Sequence, residues 1–287
     1  MTLSRDRLSC ICYFMNSQSR LALRPATSDD LQAIAVLTQA RRNELAAWEP
    51  WYWNPRHGVD ETHPMYLGWC ISDNPNCEVV IATENDHVVG CLFVNRRPQH
   101  DFLDDFCVVE NRWMDVGQAL VEADVVGARL ICAPMKDEAQ ARWLRSTRYT
   151  KVSSFFSLRT PPPDQSYERV EPLEPLAFPD RLEDPPAHVF GDLDADTQHG
   201  LRVSTAHGYA IGSAPVTPPA YDPGGPTTVI DRVVGRNRRA LVADVLQTAS
   251  RRHDVQVIFV VDHTDNELAE ILTAAGATQP VHLWRLS

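Results

Sequence analysis

The sequence lacks the features that mark zinc modules, disulfide scaffolds and membrane spans. Its seven cysteines are an odd number and include no CxxC pair, which argues against a zinc site and a disulfide framework and favours a reducing cytoplasm. No run of about 18 apolar residues occurs, so no spanning helix is expected. The histidines, among them His57, His63, His87 and His100, have no ligand spacing. A surface or capping role is therefore expected for each of them, and no metal site is predicted.

An excess of basic residues is also missing. The chain has 27 Lys and Arg residues against 38 Asp and Glu residues, which gives a net charge of −11. Nucleic acids and anionic membranes bind basic surfaces, so neither is predicted as a partner. A hydrophobic fraction of 44% over 287 residues is typical of a globular protein with two domains.

The first twenty residues hold two arginines followed by a short apolar run, Leu8 to Met15. A secretory signal would continue into small residues at a cleavage site, and Asn16-Ser17-Gln18 does not provide one. Residues 1–20 are therefore predicted to be a disordered tail of a cytoplasmic protein.

From residue 21 onwards, apolar spacing predicts an alternation of strands and helices. The prediction begins with a strand at 21–25, a helix from Leu31, and a tryptophan-rich helical stretch at 45–66 that is interrupted by Pro50 and Pro55. It continues with a hairpin at 78–94, a strand at 106–109, a helix start at 116, a strand at 130–134, a helix from Asp137 and a closing strand at 152–158.

The stretch from Asp104 to Val121 has the most distinctive pattern. A short apolar strand at 106–109 passes through a polar turn at 110–115 and re-emerges as a helix start. The first turn of a helix has N–H groups without intrahelical partners, and these form a natural anion site. The pattern predicts that this turn holds the phosphates of a cofactor.

The element order, together with Arg112 and the run Gly117-Gln118-Ala119-Leu120, resembles the GCN5-related N-acetyltransferase (GNAT) family over about residues 22–160. The family's loop reads Arg/Gln-x-x-Gly-x-Gly/Ala, and here Asp115 replaces the first glycine. The resemblance implies an α/β fold with a mixed, mostly antiparallel sheet, in which the fourth and fifth strands splay apart and acyl-CoA lies in the gap.

The resemblance also implies a function, namely direct transfer of an acetyl group from acetyl-CoA to an amine in a ternary complex. The acceptor would be a small-molecule or peptide amine, and the protein a monomer or homodimer. The predicted cofactor-binding residues run along the strand, the loop and the next helix start: Cys107, Val108, Val109, Arg112, Trp113, Met114, Asp115, Val116, Gly117, Gln118, Ala119 and Asp137. Those at 107–109 would polarise the thioester carbonyl through a backbone N–H, and those at 112–119 would hold the pyrophosphate.

Asp104 and Asp105 are the candidates for the catalytic base, at the predicted start of the fourth strand. Strict alternation would turn only one of them toward the cleft, and the alternative is that both are solvated loop acids. Cys107 and Cys132 are interpreted as core residues rather than nucleophiles.

Two departures from the family pattern keep a second function open. Asp115 would repel a pyrophosphate, or else it is an ordinary helix N-cap. Leu144 occupies the position of the family's general-acid tyrosine, and a leucine cannot donate a proton. The alternative to an enzyme is therefore a catalytically inactive GNAT-like protein that binds a ligand or a partner.

A second, shortened repeat is predicted after a proline-rich linker. Eight prolines fall within 160–186, which excludes helix and sheet interior there. The predicted units are a GNAT-like domain at 21–160, a linker at 161–186 and a truncated GNAT-like domain at 187–287, where Arg238-Arg239-Ala240-Leu241-Val242 echoes 117–121. The arginines at 232–239 call for an anionic partner, with the acidic linker favoured over a phosphate ligand or an acidic face of the first domain.

Overall fold

A computed structural model describes residues 21–54, 57–96, 101–123, 129–162, 201–213 and 227–286. The predicted tail and most of the predicted linker lie outside the described residues. Within the described ranges, no helix is long and apolar enough to cross a membrane.

The first half begins with a strand at the edge of the sheet. After this strand, Asp30 accepts hydrogen bonds from the backbone N–H and the hydroxyl of Thr27, which fixes the start of the first helix. The tryptophan-rich stretch at 45–66 is not one helix, because it contains the end of α1, a turn and the start of α2. The elements of this half are β1 (Leu21–Pro25), α1 (Leu31–Trp48), α2 (Val59–Ser72), β2 (Cys77–Glu84), β3 (His87–Arg96), β4 (Asp101–Val108), α3 (Gln118–Glu122), β5 (Arg129–Pro134), α4 (Glu138–Ser146) and β6 (Tyr149–Arg159).

The second half repeats the later part of this order. Its elements are β7 (Arg202–Thr205), β8 (Gly208–Ser213), β9 (Thr227–Gly235), α5 (Arg238–Arg251), β10 (Gln256–Asp262), α6 (Asn266–Ala274) and β11 (Thr278–Leu286). Asn237 caps α5 and Asp265 caps α6, each accepting a backbone N–H from the first turn. Apolar spacing in this half predicts a hairpin at 203–216, a strand at 227–234, a helix ending at Arg252 and a helix at 266–275, and within the described residues the structure confirms them.

The eleven strands of the described residues form one sheet, in the order β1-β2-β3-β4-β5-β11-β6-β10-β9-β8-β7. Neighbours are antiparallel except for β4 beside β5 and β9 beside β10. Each parallel pairing is short and ends at Leu103 opposite Ile131, or at Ile230 opposite Phe259. Beyond those points the two strands part, so the predicted mixed sheet with splayed fourth and fifth strands is confirmed and occurs twice.

The two halves exchange their last strands. β11, the end of the second half, lies between β5 and β6 of the first half. β6 in turn lies between β11 and β10. The predicted tandem arrangement is confirmed, but the strands cross the predicted domain boundary. The boundary positions themselves stay a prediction.

The apolar side chains form cores on both faces of this sheet. Helices α3, α4, α5 and α6 cover one face, and α1 and α2 cover the other over the first half. A further cluster on the α1/α2 face joins Phe102 and Leu130 of the first half to Val229 and Ile258 of the second. The halves therefore share buried apolar contacts as well as strands.

Candidate active site

Asp104 and Asp105 lie where the gap between β4 and β5 opens, directly after the last paired residue, Leu103. The β3–β4 register shifts here, and Asp105 has a φ of 39°, as expected at a β-bulge. Leu103 and Phe106 are three residues apart, yet both pack in the core beneath α3 and α4. The bulge therefore places both carboxylates on the opposite, α1/α2 face. The prediction that they begin the strand, with only one turned inward, is wrong.

The Asp104 charge affects the titration of Asp105. Burial, together with the neighbouring Asp104 charge, raises the pKa of Asp105 to about 8, although the Arg42 guanidinium acts against this shift. Burial followed by the Asp104 charge likewise raises the pKa of Tyr66 far above its usual value. Asp105 is therefore an acid that exchanges its proton near neutral pH, which is the property a general base needs.

Arg42 is a residue that the sequence analysis missed. It lies on α1 and is buried, with hydrogen bonds of 3.5 Å to Thr38 Oγ1 and 3.3 Å to Asp60 Oδ1. The helical spacing of Ile34, Thr38, Arg42 and Leu45 places it on the buried stripe of the helix. A cation at such a position indicates an anionic partner, and this was the signal available in the sequence.

His63 was expected at the surface or at a cap, and that expectation is wrong. It is only 3% exposed and stacks on Tyr66 at a centroid distance of 5.9 Å. Neither imidazole nitrogen has a hydrogen-bond partner within the described part of the chain. Burial, aided by the Arg42 charge, lowers the pKa of His63 to about 4. The ring is neutral at pH 7 and offers one donor and one acceptor.

The predicted phosphate loop consists of a 3-10 turn at Val109–Asn111 and a π turn at Trp113–Gly117. Arg112 caps the π turn, so Asp115 is not the N-cap that the sequence allowed. Arg112 binds Asp115 Oδ2 at 2.9 and 2.5 Å and Glu84 Oε2 at 3.0 Å. Burial by itself would raise the pKa of Asp115, but the hydrogen bond and charge of Arg112, together with backbone N–H groups, lower that pKa overall. The loop's cation is thus shared by two carboxylates.

Several of the predicted loop residues are core residues by their side chains. Trp113 stacks on Trp143, Phe106 meets both rings edge-on, and Val116 is fully buried. A Cβ added to Gly117 would come within 3.1 Å of the Trp113 ring, so packing alone favours glycine there. Their side chains are thus not available to a cofactor, and the N–H groups of Val116 and Gly117 already donate to Arg112 O at 3.0 and 3.1 Å.

The other predicted residues divide between solvent and core. Met114 is exposed, Gln118 Oε1 accepts from Trp143 Nε1 at 2.7 Å, and Cys107 is buried in the core beneath α1 and α2. Val108 and Val109 are partly buried against the opposite core, and Ala119 is half-buried on α3.

Arg41, also missed from the sequence, bridges the two sides of the gap. It extends from α1, lies over the Trp113 ring at 5.7 Å, and pairs with Asp137 Oδ2 at 2.5 Å. Asp137 uses its other oxygen, Oδ1, to cap α4 by accepting from Gln140 N. Both oxygens of Asp137 are thus engaged, and its predicted part in cofactor binding stays a prediction.

The second half has the same gap with different groups around it. The first residue after its split is Asp231, which is buried, and the β8–β9 register shifts at this point. Arg238, the first residue of α5, reaches the turn after β10, where it makes a two-pronged ion pair with Asp265 and a 3.4 Å contact with Glu267. The acidic partner of Arg238 therefore lies in the second half itself, whereas the linker acids lie outside the described residues.

Solved structures similar to this chain come from acetyltransferases. A GCN5-related N-acetyltransferase from Sphaerobacter thermophilus is 15% identical, with 92% of this chain and 95% of that chain covered and a TM-score of 0.54. A protein from Thermoplasma acidophilum, provisionally named an acetyltransferase, is 9% identical, with 92% and 98% covered and a TM-score of 0.50. A tandem GNAT protein from the clavulanic acid biosynthesis pathway is 12% identical, with 92% and 98% covered and a TM-score of 0.44. No family model and no curated protein matches the chain.

At these identities the similarity concerns the fold. The first two structures cover nearly the whole chain, both halves included. Two features described above support the same fold: the split between parallel strands and the bulge beside it each occur once in each half. The chain therefore has the fold of the GCN5-related N-acetyltransferases in a tandem arrangement, whose second half, within the described residues, has no counterpart of β1, α1 and α2.

Proposed function

We propose that the first half is an N-acetyltransferase that transfers an acetyl group from acetyl-CoA to an amine, directly and within a ternary complex. The observation that carries this proposal is the position of Asp105. It lies at the opening between β4 and β5, on the α1/α2 face, and its pKa is raised to about 8. A titratable group with such a shift at the mouth of a gap is a candidate for proton transfer.

The gap between β4 and β5 fits acetyl-CoA better than the loop between β4 and α3 does. Beyond Leu103 the β5-facing edge of β4 is no longer paired with β5, so a thioester and its pantetheine arm could lie along this edge, although Asp105 N already donates to Asp104 Oδ1 at 2.9 Å. In the loop, Arg112 and the N–H groups of 113–115 would hold the pyrophosphate, but Arg112 already serves Asp115 and Glu84, and the N–H groups of Val116 and Gly117 already donate to Arg112 O. We infer binding of modest affinity. When bound, acetyl-CoA would supply the acetyl group as an activated thioester.

Asp105 is the group we assign to the acceptor's proton. An amine must lose its ammonium proton before it can attack, and a carboxylate with a pKa of about 8 can accept that proton at neutral to mildly alkaline pH. Burial, followed by the Asp104 charge, keeps the pKa of Asp105 high, while the Arg42 guanidinium limits the shift. The neutral His63 can orient an acceptor by hydrogen bonds without adding charge.

No general acid is assigned. Leu144, at the family's tyrosine position, is fully buried and apolar. Burial raises the pKa of the neighbouring Tyr149 to about 12, and its ring packs on Trp143. A thiol has a reference pKa of about 8.5, so a thiolate can leave at mildly alkaline pH without a proton donor. The missing tyrosine is therefore compatible with turnover.

The first half is preferred over the second because of the residues at equivalent places. After the second split, Asp231 is followed by Arg232 rather than by a second carboxylate. Arg238, at the position of Gly117, is held by Asp265. The second gap thus has a different charge pattern from the first.

The test combines calorimetric binding of acetyl-CoA with release of free thiol in the presence of a panel of amines, on the full chain. Asp105→Asn should lower turnover on the order of 10²-fold or more while acetyl-CoA still binds. Asp231→Asn is the matched control, a buried aspartate at the second split, and should leave turnover unchanged.

Two results would count against the proposal. If the Asp105→Asn variant kept its turnover, the base would lie elsewhere. If acetyl-CoA failed to bind at millimolar concentration, the alternative of a non-catalytic GNAT-like binding protein would hold, in keeping with the neutralised Arg112.

A further inference from the structure

Arg41 and Asp137 connect the two faces of the sheet. Arg41 belongs to α1, which packs on one face together with α2, whereas Asp137 caps α4 on the opposite face. Trp113, whose ring centroid lies 5.7 Å from the Arg41 guanidinium, belongs to the core beneath α3 and α4. The Arg41 side chain therefore extends from one face of the sheet to the other.

The guanidinium lies at the mouth of the first gap, because Trp113 follows β4 and Asp137 follows β5. Arg41 Nη2 donates to Asp137 Oδ2 at 2.5 Å, and Nη1 donates to Glu44 Oε2 at 2.6 Å. Only 13% of the Arg41 side chain and 2% of the Asp137 side chain are exposed. A buried ion pair thus occupies the space between the ends of the two strands.

A second contact joins the same two elements. Lys136, the residue before the cap of α4, donates from Nζ to the carbonyl oxygen of Trp48, the last residue of α1. The Arg41 guanidinium also lies over the Trp48 ring, at 5.1 Å from its centroid. The C-terminal part of α1 is therefore fastened to the start of α4 across the gap.

The second gap has a bridge of the same kind. Asp265 caps α6 as Asp137 caps α4, and each of these carboxylates pairs with an arginine. In the second half the arginine is Arg238, the first residue of α5. Since Arg41 and Arg238 belong to elements that are not equivalent, the feature common to both halves is the closure of the gap and not a repeated arginine.

We propose that the Arg41–Asp137 ion pair is a gate, which closes the gap between β4 and β5 until Arg41 leaves Asp137 and acetyl-CoA enters. The inference rests on the proposed function, because the pantetheine arm needs the space that the guanidinium occupies. A buried ion pair contributes little net stability, since the lost hydration of both charges offsets their attraction. An open form in which water solvates both charges therefore lies close to the closed form in free energy.

The gate has a measurable effect on cofactor binding. The apparent affinity of a ligand is reduced by the fraction of molecules in the form that can bind it. A minor form of a two-state protein is typically populated at about 10% or less. Variants that cannot close the gate should therefore bind acetyl-CoA at least about tenfold more tightly than the wild-type protein does.

The test is calorimetric binding of acetyl-CoA to the full-length protein and to two variants with opposite changes in charge. Arg41→Ala removes a positive charge, which by electrostatics alone would weaken binding of a polyanionic cofactor. Asp137→Asn removes a negative charge and keeps a side chain that can cap α4. The gate predicts that both variants bind at least about tenfold more tightly. Arg238→Ala and Asp265→Asn make the same changes in charge at the second gap and should leave the affinity unchanged.

The outcomes separate the gate from the proposed function. If the wild-type protein binds acetyl-CoA and Arg41→Ala binds it equally or more weakly, the gate is overturned while the proposed function stands. If no form of the protein binds acetyl-CoA at millimolar concentration, the proposed function fails and the gate fails with it. If Arg41→Ala does not fold, Asp137→Asn and its control decide, because the loss of one charge alone should change the affinity only several-fold.

Discussion

Asp104 and Asp105 show that the orientation of a candidate catalytic residue can depend on tertiary structure even when the residue is visible in the sequence. Asp104 and Asp105 could be recognised from the sequence as candidate bases, but alternation along an ideal strand gave the wrong orientation. The bulge at Asp105 depends on its pairing with β3, which no local pattern reveals. Arg42 and His63 were missed for a related reason, because their roles come from packing between α1, α2 and β4.

The pKa of Asp105 leads to a prediction about pH. Transfer requires its carboxylate, so kcat/KM should rise with pH and level off above an inflection near the pKa of about 8. Asp104→Asn removes the neighbouring charge but not the burial, and should therefore move the inflection to lower pH. Profiles of both proteins with the same acceptor would show this shift, because the acceptor's own titration is common to both. An inflection that stays in place would assign it to another group.

The same shift has a consequence for stability with a defined sign. The folded protein holds the Asp105 proton up to about pH 8, whereas the unfolded chain releases it near the ordinary value of 3.8. The folded state then binds more protons between these values, so the Asp105 contribution to the free energy of unfolding falls as pH rises. Asp105→Asn should remove this contribution and flatten the pH dependence of urea unfolding from about pH 4 to 8.

At the scale of elements, the loop between β4 and α3 contains a carboxylate, that of Asp115, where a phosphate group is proposed to bind. Asp115→Asn would leave Arg112 with Glu84 alone and remove one negative charge near the proposed phosphates. Affinity for coenzyme A, measured by calorimetry, should rise by roughly 1 kcal/mol, or several-fold. Asp115→Glu keeps the charge and should not tighten binding. If both variants bind like the wild-type protein, the phosphates do not lie beside this loop.

Most elements could be predicted because their signals are local. The hairpin at β2 and β3, the cap at Asp137 and the helix after Asn237 follow from neighbouring residues. The helix boundaries at α2 were missed, since Pro64 lies inside a helix that runs from Val59 to Ser72. The arginine bridges at Arg41–Asp137 and Arg238–Asp265 join residues far apart in sequence, and no spacing indicates them.

At the scale of the whole molecule, the repeat was visible in the sequence but the strand exchange was not. A closing strand looks the same whether it pairs within its own half or with the other one. β6 pairs with β10 from Gln256 to Asp262 and with β11 on its other side. The Phe102–Val229 cluster adds apolar contacts between the halves. Cooperative unfolding should therefore involve both halves together.

The last prediction tests this shared architecture by cutting the chain. A site for a sequence-specific protease, placed in the proline-rich stretch between Pro163 and Pro186, allows the intact folded protein to be cleaved. The two pieces should stay associated in size-exclusion chromatography and unfold in one transition, because separating them would expose both edges of β6 and β11. Separation would replace the backbone hydrogen bonds along these edges by bonds to water, at a net cost of about 0.5–1.5 kcal/mol for each bond. The uncleaved protein with the same insertion is the control. Two pieces that separate under native conditions and keep their secondary structure would mean that each half folds by itself.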